Sequence, residues 1–116
     1  MHNFRELKIW QRSRELVKTI YKAVASLPYE EKYCLKSQIY RSIISIPAYI
    51  AEGCGRGTVK ELCRFLDITT GSAFELETSL ILSNDLEYLE LDKVSSLITV
   101  INEIEKMIFN LKSKFS

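Results

Sequence analysis

Residues that commonly build catalytic and metal sites are scarce in this sequence. It contains one histidine, His2, and three cysteines among its 116 residues. His2 stands at a terminus, where a chain usually frays, so a Cys–His or Ser–His nucleophile pair is not expected. The Glu-x-x-His pairs of di-iron four-helix proteins are also missing. These absences predict a protein that is not an enzyme and that holds no metal ion or cofactor.

The three cysteines are odd in number and show no Cys-x-x-Cys spacing. This pattern disfavours both a disulfide framework and a zinc ribbon. We expect reduced thiols that pack as small apolar groups. Cys54 is the candidate for an exposed, reactive thiol because a glycine stands on each side of it.

Long hydrophobic runs are lacking as well. No apolar stretch approaches the roughly 18–20 residues that a membrane span requires. The N-terminal residues MHNFRELKIW carry charges where a signal peptide has its apolar stretch. Both observations favour a cytoplasmic protein.

Glycine and proline are few, four and two respectively, and between them apolar residues recur at steps of three and four. This periodicity predicts helices over about 6–26, from about 32 to 52, over 59–88, and from about 92 onward. Thr58 followed by Glu61 predicts a capping box at the start of the third helix, and Asp92 is the predicted N-cap of the fourth. Short connections between helices predict an all-α, antiparallel up-down-up-down four-helix bundle, formed as one domain by residues 1–116.

Two details of helix packing can also be predicted. The expected core face of the first helix comprises Leu7, Trp10, Val17, Ile20 or Tyr21, Val24 and Leu27. On the third helix, Gly71 costs helix stability, which suggests that another helix approaches closely at that point, on the Ser42 side of the second helix.

The second predicted helix has two faces. One is an apolar stripe, and beside it runs a stripe of polar and small residues that we expect to contact another helix or another subunit. Charged and small residues next to this contact are candidates for a polar site, but structural ion pairs that fix the helix register or join subunits are the favoured interpretation. This set comprises Gln38, Arg41, Ser45, Tyr49, Glu52, Gly71, Ser72 and Glu75.

The net charge is only +1, but the charges are distributed unevenly. Residues 1–27 hold six basic and two acidic side chains, whereas residues 58–89 hold two basic and six acidic ones. A basic first helix could attract an acidic partner such as RNA, or it could lie against an acidic helix within or between chains. The candidate phosphate contacts for the RNA interpretation are Arg5, Lys8, Arg12, Lys18 and Arg56.

Several short segments, in the same order along nearly the whole chain, resemble the 23S rRNA intervening-sequence protein family. They are Phe4–Trp10, Gln38–Arg41, Ser45–Pro47, Ile50–Gly53 with Gly55 and Arg56, and Gly71–Ser72 with Glu75–Glu77. The family pattern resembles Ser-Asn-Ile-Ala-Glu-Gly, so Tyr49 stands here where the family has asparagine.

The resemblance implies a small bacterial four-helix bundle without an established activity. It also implies a likeness to the accessory bundle proteins of diversity-generating retroelements, which form homopentameric barrels and bind nucleic acid and a reverse transcriptase. Two hypotheses follow. The chain is either a non-enzymatic homo-oligomeric scaffold, expected to be a pentamer with another protein as partner, or an RNA-binding module that uses its basic first helix.

Overall fold

The computed structural model describes residues 3–115, and these residues form four α-helices and no β-strand. The predicted all-α fold class is therefore confirmed. The helices are α1 (Lys8–Val24), α2 (Leu35–Gly55), α3 (Val59–Asp85) and α4 (Leu91–Ser113). Short 3-10 turns at Phe4–Glu6 and Tyr29–Glu31 precede α1 and α2.

Each helix packs against two others, since α1 and α3 both contact α2 and α4. Two side-chain contacts show the relative direction of α3 and α4. Asp67 bonds to Lys112 while Glu77, further along α3, meets Asn102 near the middle of α4, so α3 and α4 run in opposite directions. The bundle measures 43 × 24 × 20 Å. None of its helices within residues 3–115 combines the length and apolar composition of a membrane span.

One apolar stripe from each helix forms the core. The isoleucines of α2 and α4 recur at steps of three and four, which brings them to one side of each helix. Burying these side chains supplies the main driving force for folding. The fully buried large side chains are Ile20, Ile39, Ile43, Ile46, Ile50, Leu62, Leu66, Leu76, Leu80, Ile101, Ile104 and Ile108.

The predicted core face of α1 is confirmed toward its C-terminal end, where Ile20, Val24 and Leu27 are buried, but it is wrong by one position in the first turns. Ile9 and Leu16 are buried, whereas Trp10 and Val17 are only half-buried at the margin of the helix. Trp10 packs edge-on against Phe4 of the preceding 3-10 turn, with ring centroids 5.2 Å apart. A large aromatic side chain at the edge of a stripe is apolar enough to be mistaken for a core residue.

The predicted close helix contact at Gly71 was also wrong. Gly71 is exposed, and a Cβ atom built there would meet no atom within 4 Å. The close contact lies instead at Gly53, where a Cβ would come within 2.8 Å of the Phe65 Cβ. Gly53 thus lets α2 approach α3. Its neighbour Cys54 is only 2% exposed, which agrees with the expectation that the thiols pack as small apolar groups.

Several small hydroxyl residues of α2 and α3 are buried. Ser42, Thr69 and Ser83 are all buried. Each hydroxyl donates to a carbonyl of its own helix, for example Thr69 Oγ1 to the Phe65 carbonyl at 2.8 Å. Because each donor has an acceptor, these polar groups are buried without an unpaired hydrogen bond.

The helix starts agree only in part with the sequence predictions. The backbone N–H of Glu61 donates to Thr58 Oγ1 at 3.1 Å, which confirms the cap of α3. The second half of the capping box is missing because the Glu61 carboxylate bonds to Arg64 instead. The predicted Asp92 cap was wrong: α4 begins at Leu91, and Asp92 lies in its first turn, where a carboxylate favours the helix dipole.

The two connections at one end of the bundle are joined to each other. The Tyr88 hydroxyl, in the turn between α3 and α4, donates to Glu31 Oε2 at 3.0 Å, next to the start of α2. At the opposite end, residues 6–9 and the last turns of α4 line one groove, which places the beginning of α1 beside the end of α4.

Candidate interaction site

A patch of exposed apolar side chains lies on the outer surface shared by α3 and α4. Phe74 and Ile81 are 56% and 48% exposed, and Phe109 is 70% exposed. Phe74 and Ile81 stand one helical turn to either side of Glu77, and Phe109 stands one turn beyond Glu105. We call this patch, with Glu77, Asn102 and Glu105 at its centre, the α3–α4 face.

Two carboxyl groups meet at the centre of the α3–α4 face. With its amide oriented to satisfy both partners, Asn102 Nδ2 donates to Glu77 Oε1 at 2.6 Å and to Glu105 Oε1 at 3.0 Å. The other oxygen of Glu105, Oε2, is shielded from water and has no hydrogen-bond partner in residues 3–115. Buried polar atoms nearly always have a hydrogen-bond partner, so an unpaired buried oxygen is unusual.

Burial and the neighbouring carboxylate both disfavour charge on Glu105. Desolvation is the largest cause, followed by the negative charge of Glu77 and a hydrogen bond with it, and together they raise the pKa of Glu105 to about 7. A surface pocket of about 410 Å³ adjoins the pair and is also lined by Lys106 and Phe109. The site can therefore exchange a proton near neutral pH beside an open apolar surface.

A second surface with aromatic and basic side chains lies on the outer side of α1 and α2. Tyr21 and Tyr40 stack with ring centroids 4.2 Å apart, and the Arg14 guanidinium lies 5.4 Å from the centre of the Trp10 ring. We call Trp10, Arg14, Tyr21, Tyr40 and Ile44 the α1–α2 face. A groove of about 440 Å³ beside it is lined by Arg5, Trp10, Gln11, Arg14, Glu15 and Lys18.

The structure separates the five residues predicted to contact nucleic acid. Lys8 and Arg12 line a groove between α1 and α4, where Arg12 forms an ion pair with Glu103. Arg5 and Lys18 line the groove beside Arg14 instead.

Arg56 lies apart from both groups, just after α2. It pairs with Glu52 at 2.6 Å and stacks over the Phe65 ring at 4.9 Å. The five predicted contacts therefore fall in three places.

The polar set predicted around α2 does not converge on one site within the chain. Arg41 bonds to Gln38, and the Ser45 hydroxyl donates to the Arg41 carbonyl at 2.7 Å, so these contacts stay inside α2. Tyr49, where the family pattern has asparagine, packs near the Phe65 ring at 6.1 Å.

The three members of the set on α3 also differ in their surroundings. Ser72 is buried, whereas Gly71 and Glu75 are exposed. The role of this set at a subunit contact stays a prediction.

Sequence reasoning missed the pairing of Glu77 with Glu105. The spacing of two residues puts Glu75 and Glu77 on different sides of α3, and likewise Glu103 and Glu105 on α4. The available signal was one carboxylate on each helix with aromatic neighbours one turn away, but the register between the helices cannot be read from periodicity. Within residues 3–115 no group of three or more His, Cys, Asp or Glu residues could hold a metal ion.

The chain is similar to known proteins in both its sequence and its fold. The family model of the 23S rRNA-intervening sequence protein matches residues 5–110. The chain is also similar to a solved structure from Bacteroides thetaiotaomicron VPI-5482, described as a protein with unknown function from the S23 ribosomal protein family. The two share 26% sequence identity over 90% of this chain and 95% of that chain, with a TM-score of 0.82. No curated protein matches the chain. Because the family model covers nearly all of it, the chain belongs to the 23S rRNA-intervening sequence protein family.

Proposed function

We propose that the protein is a non-enzymatic scaffold that assembles with copies of itself, expected to be a pentamer. The observation that carries this proposal is the exposure of two different, complementary faces on one small bundle. The α3–α4 face combines aromatic side chains with carboxyl groups, and the α1–α2 face combines aromatic side chains with a guanidinium.

Exposed aromatic side chains support an interface on the α3–α4 face. Single exposed apolar residues are common, but neighbouring ones mark contact sites because burying them removes apolar surface from water. Phe109 alone leaves 70% of its surface in solvent. A partner surface that covers Phe74, Ile81 and Phe109 together would gain from the hydrophobic effect.

The charges favour another copy of the chain as that partner. Helix α1 carries five basic residues and one acidic residue, and α3 carries two basic and five acidic ones. A contact between the α1–α2 face of one copy and the α3–α4 face of the next is heterologous, and repetition of such a contact closes a ring when the rotation allows it. The number five comes from the family resemblance.

RNA binding is the second candidate function. The similar structure is described as a member of a ribosomal protein family, and Arg5, Arg14 and Lys18 line one groove beside Trp10. Against it, Arg12 and Arg56 are already paired with carboxylates. Pairing of these side chains lowers the number of cations free to neutralise phosphates.

The oligomeric mass tests the scaffold proposal directly. We expect light scattering coupled to size exclusion to show a multimer for the natural chain and a smaller species for Phe109→Gln. Phe109 is exposed, so this variant should fold normally. Tyr33→Gln is the matched control, because Tyr33 is 80% exposed at the end of the bundle, away from both faces. A monomeric natural chain, or an unchanged Phe109→Gln multimer, would contradict the proposal.

Added bulk RNA separates the two candidate functions in the same experiment. If RNA binding is the function, the species gains mass with RNA at low salt and loses it at moderate salt. The double variant Arg5→Glu, Lys18→Glu, in the groove beside Trp10, should then lose the bound RNA while keeping its helical content. A multimer that ignores RNA at both salt concentrations supports the scaffold.

A further inference from the structure

The carboxyl pair on the α3–α4 face lacks a cation. Asn102 supplies hydrogen bonds to one oxygen of Glu77 and one of Glu105, but Glu105 Oε2 has no partner among the described residues. A carboxylate shielded from water is costly unless it is paired or protonated. The structure therefore shows a site that is electrostatically incomplete in the single chain.

We propose that this pair receives the guanidinium of Arg14 from a neighbouring copy of the chain. The inference rests on the proposed self-assembly and names the contact that joins one copy to the next. The guanidinium would pair with Glu77 and Glu105, and the Trp10 ring beneath it would cover Phe74 or Phe109.

Arg14 is the arginine best suited to this contact. Arg12, Arg56 and Arg64 each form an ion pair within the chain. Arg14 is exposed and forms no ion pair within residues 3–115, and it is held over the Trp10 ring. A planar guanidinium can donate to two carboxylate oxygens at once, which suits a pair of adjacent carboxyl groups.

Other charged groups near the pair do not already supply this cation. Arg64 of α3 is paired with Glu61, and Lys112 of α4 is paired with Asp67. On α4, Lys106 lines the same pocket as Glu105 but forms no ion pair within the described residues. Within residues 3–115 no cation is therefore paired with Glu77 or Glu105.

Assembly through this contact should depend on pH. In the free chain Glu105 has a pKa of about 7, and a guanidinium beside it would lower that pKa. Docking then releases a proton below pH 7, so association strengthens as pH rises. One proton released per contact corresponds to about tenfold in affinity between pH 6 and pH 7.5.

Charge reversal tests the contact most sharply. We expect Arg14→Glu and Glu105→Lys each to weaken association about tenfold or more. The double variant Arg14→Glu, Glu105→Lys should recover most of it, because the opposite charges are exchanged between the two faces. Glu75→Lys, at an exposed carboxylate of α3, controls for a general effect of adding positive charge.

The natural chain and Glu105→Gln should be compared from pH 6 to pH 7.5 by the same light scattering. His2 and the N-terminal amine are present in both proteins, so any pH dependence left in Glu105→Gln measures those groups. We expect the variant to lose the dependence that the natural chain shows.

The outcomes distinguish failure of this inference from failure of the proposed function. If the natural chain forms no multimer at any pH, both fail. A multimer that survives Arg14→Glu unchanged, or a double variant as weak as the single ones, overturns the Arg14 contact and leaves self-assembly standing. A double variant that recovers the multimer supports the contact.

Discussion

At the scale of single residues, Glu105 combines an oxygen bonded to Asn102 with one that is shielded from water. Its folded pKa of about 7 lies above the ordinary 4.5, so the folded chain binds this proton more tightly than the unfolded chain does. The free energy of unfolding should therefore fall as pH rises from about 4.5 through 7.

Replacing Glu105 by glutamine should remove this pH dependence and stabilise the chain above pH 7. The full shift would correspond to about 3 kcal/mol, but the side chain is partly in solvent, so we expect about 1 kcal/mol. Urea unfolding at pH 5 and pH 8 measures the effect, in the Phe109→Gln background to suppress self-association. Parallel stability changes in Glu105→Gln and in the exposed control Glu75→Gln would contradict this account.

The glycines Gly53 and Gly71 offer a matched pair of substitutions. Alanine at Gly53 would place its Cβ 2.8 Å from the Phe65 Cβ, so we expect destabilisation by about 1–3 kcal/mol from overpacking. Alanine at Gly71 meets open space and improves helix propensity, so we expect stabilisation by up to about 1 kcal/mol in the same background. Thermal or urea unfolding of both variants gives the comparison. Equal effects of the two substitutions would show that the α2–α3 contact at Gly53 is not tight.

At the scale of helices, the start of α3 depends on one side-chain cap. Thr58→Ala removes the acceptor for the Glu61 N–H, and we expect it to cost about 1 kcal/mol. Thr78→Ala is the control, since Thr78 is exposed inside the same helix and its hydroxyl donates only to the Phe74 carbonyl. Urea unfolding should separate the two variants, and similar stabilities would mean that another donor or water replaces the cap.

Periodicity predicted the number and order of the helices because burial of one stripe dominates each of them. The steps of three and four between the isoleucines of α2 and of α4 match their buried positions. On α1 the pattern was right for Ile20 and Val24 but wrong in the first turns, where Trp10 lies at the margin and Ile9 and Leu16 form the core. Helix starts were less predictable, since a cap depends on local bonding: Thr58 caps α3, but Asp92 does not cap α4.

The candidate site was harder to predict than the fold. The sequence spacing shows that Glu77 and Glu105 lie on a different side of their helices from Glu75 and Glu103, but the contact between Glu77 and Glu105 depends on the register of α3 against α4. That register is set by packing between the helices, and the periodicity of the sequence does not reveal it. The same limit explains why the polar residues of α2 were expected to join Glu75, although they bond within α2.

At the scale of the whole molecule, the ion pairs between helices do little to hold the bundle together. Arg12 with Glu103 and Asp67 with Lys112 join α4 to its neighbours, but all four side chains are substantially exposed. Exposed pairs typically contribute about 0–1 kcal/mol, so the buried core determines stability. The surface charges are thus free to serve recognition, which fits their division between the two faces.

The groove shared by residues 6–9 and the last turns of α4 has a consequence for connectivity. Because the start of α1 lies beside the end of α4 there, a short linker could join residues 3 and 115 without disturbing the packing, and the chain could be opened at the turn between α3 and α4 instead. Such a circular permutant would keep every helix neighbour while changing the order in which the helices are synthesised. The bundle is therefore specified by which side chains pack together, and the order of its helices along the polypeptide could be rearranged.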